Sequence, residues 1–284
     1  MKFLLGLLAF LMVAVIGAGG YYIYSTTQEE GASFEMPSLP EITMPWQKEE
    51  TPQPEQPKGK GTVTVGDTKK PNDSYKVLDS LALATKANRD VIAWLELPGA
   101  EINDCVLQYL DNEFYERRDE RKNYNVYGCY FMDYECPMGT REVLANNTVI
   151  YGHSAPNDDP EGPKFSKLFR FTKGKFAKEN PCIFLSTEEE RMTWQIFAVF
   201  YTDINFDYIR VHITDEEMVE LANQAKELSI YDYGIEITPE DKILTLSTCS
   251  ERDGKDGTHR FVVMAKLLPE ADLGPETAKI KSKK

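Results

Sequence analysis

Histidine and cysteine, the side chains most often used to bind transition metals, are both scarce in this chain. Three of its 284 residues are histidine and five are cysteine. No two cysteines form a C-x-x-C pair and no H-E-x-x-H element occurs, so the sequence gives little support for a zinc site. The scarcity of histidine also leaves few candidates for a proton acceptor near neutral pH. An odd number of cysteines leaves at least one thiol free in a monomer.

Positive charge is also in short supply. The chain has 32 lysine and arginine residues against 46 aspartate and glutamate residues, which gives a formal net charge of −14 and a pI of about 4.8. Binding to nucleic acid phosphates requires basic patches, so this composition argues against a nucleic acid partner. A length of 284 residues allows one sizeable domain with appendages.

The N-terminus begins with a long apolar run. Residues 3–24 carry no charge and follow Lys2. Roughly 22 helical residues are enough to cross the hydrocarbon core of a bilayer. Tyr21, Tyr22 and Tyr24 at the far end favour an uncleaved transmembrane anchor over residues 1–24, and a cleaved signal peptide remains the alternative. Lys2 lies in the short segment before the apolar run, and positive charge beside a membrane-spanning helix favours the cytoplasmic side. We therefore expect a single-pass protein of the cell membrane, with a cytoplasmic N-terminus and an extracellular body.

The composition then changes to proline, glutamate, glutamine, lysine and glycine over residues 25–73. Proline lacks a backbone donor and interrupts helices and central strands, so this stretch predicts an extended polar spacer. The folded domain is therefore expected over residues 74–268. Residues 269–284 are rich in lysine and predict a frayed tail.

Two predicted strands near the C-terminus bring a thiol close to a guanidinium. Residues 243–248 alternate and carry β-branched side chains, residues 260–267 also have a strand pattern, and a polar loop lies between them. If the strands pair antiparallel, Cys249 lies beside Arg260. This pair suggests a nucleophile with an anion-stabilising partner. The candidate proton acceptor is His153, which follows a strand-like run at residues 147–151.

The motifs around these residues resemble those of the sortases, the surface-protein transpeptidases of Gram-positive bacteria. They are NTVIYGH, then TLSTC, and then Arg260 within RFVVMAKLL. The resemblance covers roughly residues 75–268 and is closest to class B. It implies a mostly β fold, a closed antiparallel barrel of about eight strands with an N-terminal helix, expected here over residues 74–88. It also implies a long helix between strands six and seven. Residues 214–229 have helical periodicity and a capping box of Thr214 and Glu217, which agrees with that helix.

The resemblance implies roles for three residues. Cys249 would attack a peptide carbonyl and form a thioacyl enzyme. His153 would protonate the leaving amine and later take a proton from the incoming amine. Arg260 would stabilise the oxyanion, and the backbone N–H of Ser250 could contribute. No metal and no organic cofactor is implied.

Each of these residues also has a simpler interpretation. Cys249 could be a buried structural thiol, the commonest situation for a lone cysteine. Arg260 could form a surface ion pair with Glu251 or Asp253. His259 could compete as the base, although its place beside Arg260 in a loop favours a solvated side chain.

The implied substrate is a sorting peptide related to NPxTx or LPxTG, cleaved after the threonine. The acyl group would pass to an amine of a peptidoglycan precursor or of a pilin lysine. Two positions depart from the family pattern: Glu116 stands where many relatives carry an apolar residue, and Cys105 where relatives often have proline. The positions that match class B substrate contacts are Asn112, Tyr208, Ile209, Ser247 and Thr248.

Two alternatives to a transpeptidase come from different functional classes. One is a thiol endopeptidase that only hydrolyses its substrate, and the other is an exported binding module that keeps the fold without catalysis. The sequence also leaves open whether Cys129 and Cys136 form a disulfide across a turn or remain buried thiols.

Overall fold

The computed structural model describes residues 72–270 and 273–283. The predicted anchor, residues 1–24, lies outside the described residues, as does the predicted spacer except for its last two residues. Within the described ranges, no helix combines the length and the apolar character that a membrane crossing requires.

Eight strands form a closed barrel, as predicted. Around the barrel their order is β1-β2-β3-β4-β8-β9-β6-β5, and two further short strands form a separate two-stranded sheet. The barrel strands are β1 (Val91–Leu97), β2 (Ile102–Leu107), β3 (Tyr130–Met132), β4 (Asn147–Tyr151), β5 (Cys182–Ser186), β6 (Arg191–Asp203), β8 (Ile243–Cys249) and β9 (His259–Leu267). The two-stranded sheet consists of β7 (Tyr231–Asp232) and β10 (Lys281–Ser282).

The barrel is mostly antiparallel, as the resemblance implies, and two of its neighbouring pairs are parallel. They are β2 with β3 and β4 with β8. Parallel strands require a long crossover connection, and in both pairs such a connection separates the partners in the chain. The remaining neighbours in the barrel pair antiparallel.

The barrel interior holds the main apolar core, and helices cover parts of its outside. Val149, Leu244 and Phe261 belong to the inner cluster, and each is fully buried. On the outside, Phe200 and Val262 pack in a second cluster with the long helix. Strands buried on both faces are expected to be apolar in nearly every position, which explains why residues 243–246 contain little polar surface.

Three α-helices accompany the barrel in the part of the chain that the structure describes. They are α1 (Asn72–Ala87), α2 (Gly174–Glu179) and α3 (Asp215–Leu228). The helix α3 follows β6 and precedes the seventh barrel strand, as predicted, and the capping box of Thr214 and Glu217 is formed. Its buried face consists of Met218, Leu221, Ala222 and Ala225.

The C-terminal tail is not frayed throughout, which corrects the prediction. Lys281 pairs with Asp232 and Ser282 pairs with Tyr231 in the two-stranded sheet. The Ala278 side chain is also buried against the inner cluster. Backbone pairing and a small apolar contact therefore hold a segment whose lysine-rich composition suggested an unpaired end.

Candidate active site

The parallel pairing of β4 with β8 brings the two candidate catalytic residues to one rim of the barrel. Tyr151 lies opposite Ser247 in this pair, so both strands end at the same side. Cys249 is the last residue of β8, and His153 follows the end of β4 by two residues. Both line a single cavity of about 360 Å³.

Cys249 is solvent-exposed, whereas the six residues before it in β8 are all buried. The alternative of a buried structural thiol is therefore wrong. The carbonyl oxygen of Cys249 accepts a hydrogen bond of 2.7 Å from the hydroxyl of Ser154. The backbone N–H of Ser250 donates to the carbonyl of His259 at 3.0 Å, so this donor is already engaged. Its expected contribution to an oxyanion site therefore does not fit the structure.

His153 is held through one nitrogen of its ring. Its Nε2 lies 2.8 Å from the carbonyl oxygen of Glu116 and 3.8 Å from a carboxylate oxygen of the same residue. Because a carbonyl oxygen can only accept, Nε2 carries a proton, and Nδ1 of the neutral ring is left as an acceptor. Burial lowers the pKa of His153, the charge of Arg117 lowers it further, and Glu116 opposes both effects. These surroundings favour a neutral imidazole.

Arg260 lies opposite Cys249 in the β8–β9 register, as predicted. Its Nη1 donates to the carbonyl of Gly257 at 2.6 Å and to that of His259 at 2.9 Å. These two bonds hold the guanidinium against its own loop. The side chain also lines the same cavity as Cys249.

The expected alternative, a surface ion pair of Arg260 with Glu251 or Asp253, is not formed. Glu251 pairs instead with Lys255 at 3.2 Å, and Asp253 lies 3.9 Å from Arg252. Over the described part of the chain, no carboxylate lies within ion-pair distance of Arg260. Its charge therefore faces the cavity without a paired acid.

All five predicted substrate-contact residues line this cavity. The Tyr208 hydroxyl lies 2.8 Å from Oγ of Ser247, and Oγ1 of Thr248 donates to the carbonyl of Gly152 at 2.7 Å. Burial raises the pKa of Tyr208. Tyr208 is only 4% exposed and packs in the second cluster, with α3, so it is a core residue as well as a lining residue. Ile209 is 40% exposed and is not a core residue. The five are Asn112, Tyr208, Ile209, Ser247 and Thr248.

One carboxylate joins two of the residues that line the cavity. Oδ2 of Asp133 accepts from Nδ2 of Asn112 and from the hydroxyl of Tyr151, each at 2.8 Å. Sequence reasoning did not select Asp133 or Tyr151, because their contact depends on the pairing of β3 with β4. It also missed several apolar and aromatic residues that line the cavity, because their sequence pattern is the same as that of buried core residues. They are Phe131, Ile204 and Phe206.

The remaining candidates for chemistry lie elsewhere. His259 is the first residue of β9 and is not among the residues that line the cavity, so it does not share the site of Cys249. Cys129 and Cys136 are both buried and free, which answers the open question of a disulfide between them. Within residues 72–270 and 273–283, no group of three or more His, Cys, Asp or Glu side chains is placed to hold a metal ion.

Comparisons with known proteins agree with this geometry. The family described as Sortase domain matches residues 95–268. A curated relative, sortase B of Listeria monocytogenes, is 29% identical over 208 residues, which are 72% of this chain and 81% of the relative. The structure of the Staphylococcus aureus sortase B–substrate complex superimposes with a TM-score of 0.61 and 26% identity, covering 69% of this chain and 87% of that one. The structure of a sortase B complexed with triglycine superimposes with a TM-score of 0.58 and 27% identity, covering 69% of this chain and 88% of that one.

Proposed function

This chain belongs to the sortase family, within class B, and is a cysteine transpeptidase; on that premise we propose that Cys249 is its nucleophile. In the same proposal His153 carries the proton and Arg260 stabilises the oxyanion. The observation that supports these roles is that the three side chains line one cavity at one rim of the barrel. Cys249 is exposed, whereas the other four cysteines are buried.

The reaction would proceed in two acyl transfers. Nδ1 of His153 accepts the thiol proton, and the sulfur of Cys249 attacks the carbonyl carbon of the scissile peptide bond. The carbon–nitrogen bond breaks, His153 gives its proton to the leaving amine, and a thioester remains on Cys249. An incoming amine then attacks the thioester, transfers its proton to His153 and releases the sulfur as the new amide forms.

Stabilisation of the oxyanion would depend mainly on Arg260. The backbone donors that follow Cys249 are engaged, since the N–H of Ser250 bonds to His259 and the N–H of Glu251 bonds to Asp158. Arg260 donates to its own loop through Nη1, which leaves Nε and Nη2 for an oxyanion in the cavity. A permanently charged group that donates several hydrogen bonds suits this task.

The proposed substrate is a C-terminal sorting signal related to NPxTx or LPxTG, cleaved after its threonine. The matched Staphylococcus aureus structure is a substrate complex, and another matched sortase B holds triglycine, so an acyl-donor peptide and an amine acceptor suit this fold. The acceptor would be an amine of the cell wall or of a pilin. The residues proposed to contact the peptide are Asn112, Tyr208, Ile209, Ser247 and Thr248.

A position at the cell surface completes the proposal. Residues 1–24 would anchor the chain in the cell membrane, and residues 25–73 would hold the domain of residues 74–268 away from it. The family acts on surface proteins, which supports an extracellular site of action.

The test is a ligation assay with the purified full chain. A peptide library that contains NPxTx and LPxTG sequences is incubated with and without triglycine, and the products are identified by mass spectrometry. We expect an acyl-enzyme on Cys249 and a ligated product that contains triglycine. Cys249→Ala should lose both while keeping the melting temperature of the parent.

Each outcome separates the alternatives. Hydrolysed peptide without ligation at saturating triglycine would identify a thiol endopeptidase. Peptide bound without any acyl-enzyme would identify a binding module. Turnover by Cys249→Ala at the rate of the parent would exclude this mechanism.

A further inference from the structure

The loops that follow the two candidate catalytic residues are joined through one carboxylate. Oδ2 of Asp158 accepts a hydrogen bond from the hydroxyl of Ser250, and Oδ1 accepts one from the backbone N–H of Glu251, both at 2.7 Å. Ser250 and Glu251 are the two residues directly after Cys249, and Asp158 lies in the loop after His153. The carboxylate therefore bonds to the segment immediately after the nucleophile.

Further hydrogen bonds join the same two loops. The N–H of Asn157 donates to a carboxylate oxygen of Glu251 at 2.7 Å, and the hydroxyl of Ser154 donates to the carbonyl of Cys249 at 2.7 Å. Lys255 lies 3.2 Å from the Glu251 carboxylate. Hydrogen bonds to a carboxylate are stronger than neutral ones, and Asp158 accepts two of them across the loops whereas Glu251 accepts one.

The burial of Ser250 explains why these bonds affect the position of the backbone after Cys249. Ser250 is only 3% exposed, and its hydroxyl also accepts the N–H of Arg252 at 3.2 Å. A buried hydroxyl that loses its acceptor leaves an unsatisfied group, so the segment would rearrange if Asp158 were removed. Asp158 itself has a φ of 53°, a left-handed conformation in which aspartate is enriched among residues other than glycine.

We propose that Asp158 is a positioning residue that holds the backbone after Cys249, so that the sulfur stays aligned with His153 and Arg260. This inference rests on the proposed function of the site. Asp158 does not line the cavity, so it would act through Ser250 and Glu251 rather than through the substrate. Its effect should therefore fall on the chemical step and not on peptide binding.

The test compares Asp158→Ala with Asp159→Ala in the ligation assay of the full chain. Asp159 has the same charge but is exposed and bonds only within its own loop, to the N–H of Glu161. We expect Asp158→Ala to lower kcat by up to about 10²-fold, because a small misplacement of reacting groups has effects of that size. The KM should stay close to that of the parent, and the melting temperature should fall by no more than several degrees, the cost of one unsatisfied buried hydroxyl. Asp159→Ala should be unchanged in all three.

Two further variants keep the result decisive if Asp158→Ala folds poorly. Asp158→Asn should recover most of kcat, because its oxygen can accept from Glu251 and its amide can donate to the Ser250 hydroxyl. Ser250→Ala should lower kcat less than Asp158→Ala, and the double variant should be no worse than Asp158→Ala alone.

Several results would overturn the inference. They are a parental kcat for Asp158→Ala, an equal loss for Asp159→Ala, strictly additive losses in the double variant, or a loss confined to KM. A parent chain that performs no ligation would overturn the proposed function and this inference with it. Ligation by the parent with unaffected Asp158 variants would overturn the inference alone.

Discussion

The rim of the barrel and its interior hold the same chemical group, a thiol, in opposite surroundings. Cys249 at the rim is exposed, lies opposite Arg260 and borders an open cavity. Cys136 in the interior is 3% exposed, accepts the N–H of Val149 at 3.4 Å, and burial raises its pKa to about 12. A thiol reacts as its thiolate, so burial makes Cys136 inert. The difference teaches that the surroundings of a thiol in the fold, and not its residue type, decide whether it can act as a nucleophile.

The same contrast holds for two further cysteines, Cys105 and Cys129. Burial raises the pKa of both thiols to about 12. They pack in a third apolar cluster with Leu81 of α1, and neither of them lines the cavity. Only the last residue of β8 combines a thiol with access to substrate in the part of the chain that the structure describes.

The largest expected difference is in the rate of alkylation by iodoacetamide. The native chain should take up one adduct, on Cys249, and the remaining four cysteines should react only on unfolding. Reaction of the buried thiols should be more than about 10³-fold slower, because it requires opening events that cost several kcal/mol. Mass spectrometry of digests measures this, with Cys249→Ala as the control that takes up no early adduct. An early adduct on Cys136 would break the comparison.

The next largest effect concerns the charge that faces the cavity. Arg260→Ala should lower kcat by about 10²- to 10³-fold, the usual result of removing an oxyanion donor. Arg252→Ala is the matched control, since Arg252 lies in the same loop but packs over the ring of Tyr201 instead. Initial rates of ligation measure both. Similar losses in the two variants would show that the loop's overall charge, and not the Arg260 donor, controls the reaction.

A smaller effect separates the two thiols in stability rather than activity. Cys136→Ala should lower the free energy of unfolding by about 1–2 kcal/mol, because it leaves a cavity and removes the acceptor of Val149. Cys249→Ala should change it by less than about 0.5 kcal/mol, since its side chain is exposed. Urea denaturation followed by tryptophan fluorescence gives both values. Equal destabilisation by the two substitutions would contradict the contrast between rim and interior.

Much of the rim could be predicted from local sequence. The Cys249–Arg260 contact follows from antiparallel pairing of two strands joined by one loop, and α3 follows from its capping box and apolar face. The register of such neighbouring strands is fixed by the hydrophobic pattern and the connecting loop. The family resemblance contributed the barrel and the role of His153.

The rest could not be predicted because it depends on contacts between distant segments. The parallel pairing of β4 with β8 brings His153 to the same rim of the barrel as Cys249, and no turn connects these two strands. The bonds of Asp158 to Ser250 and Glu251 likewise join loops far apart in the chain. An acidic, proline-containing loop is typical of any solvated turn, so its sequence carries no signal of these bonds.

The smallest expected effect is on the pKa of His153, which two substitutions should shift in opposite directions. This prediction sharpens the contrast because exposed charges can change the pKa of a group at the rim but do not reach the interior. Glu116→Gln removes a negative charge 3.8 Å from Nε2 and should lower this pKa further. Arg117→Gln removes a positive charge and should raise it. Each shift should be at most about one unit, because both side chains are nearly half exposed. NMR titration of the ring protons in a Cys249→Ala background measures the shifts, with Glu113→Gln as control. Shifts of the same sign in both variants would mean that rearrangement, and not charge, determines the protonation of His153.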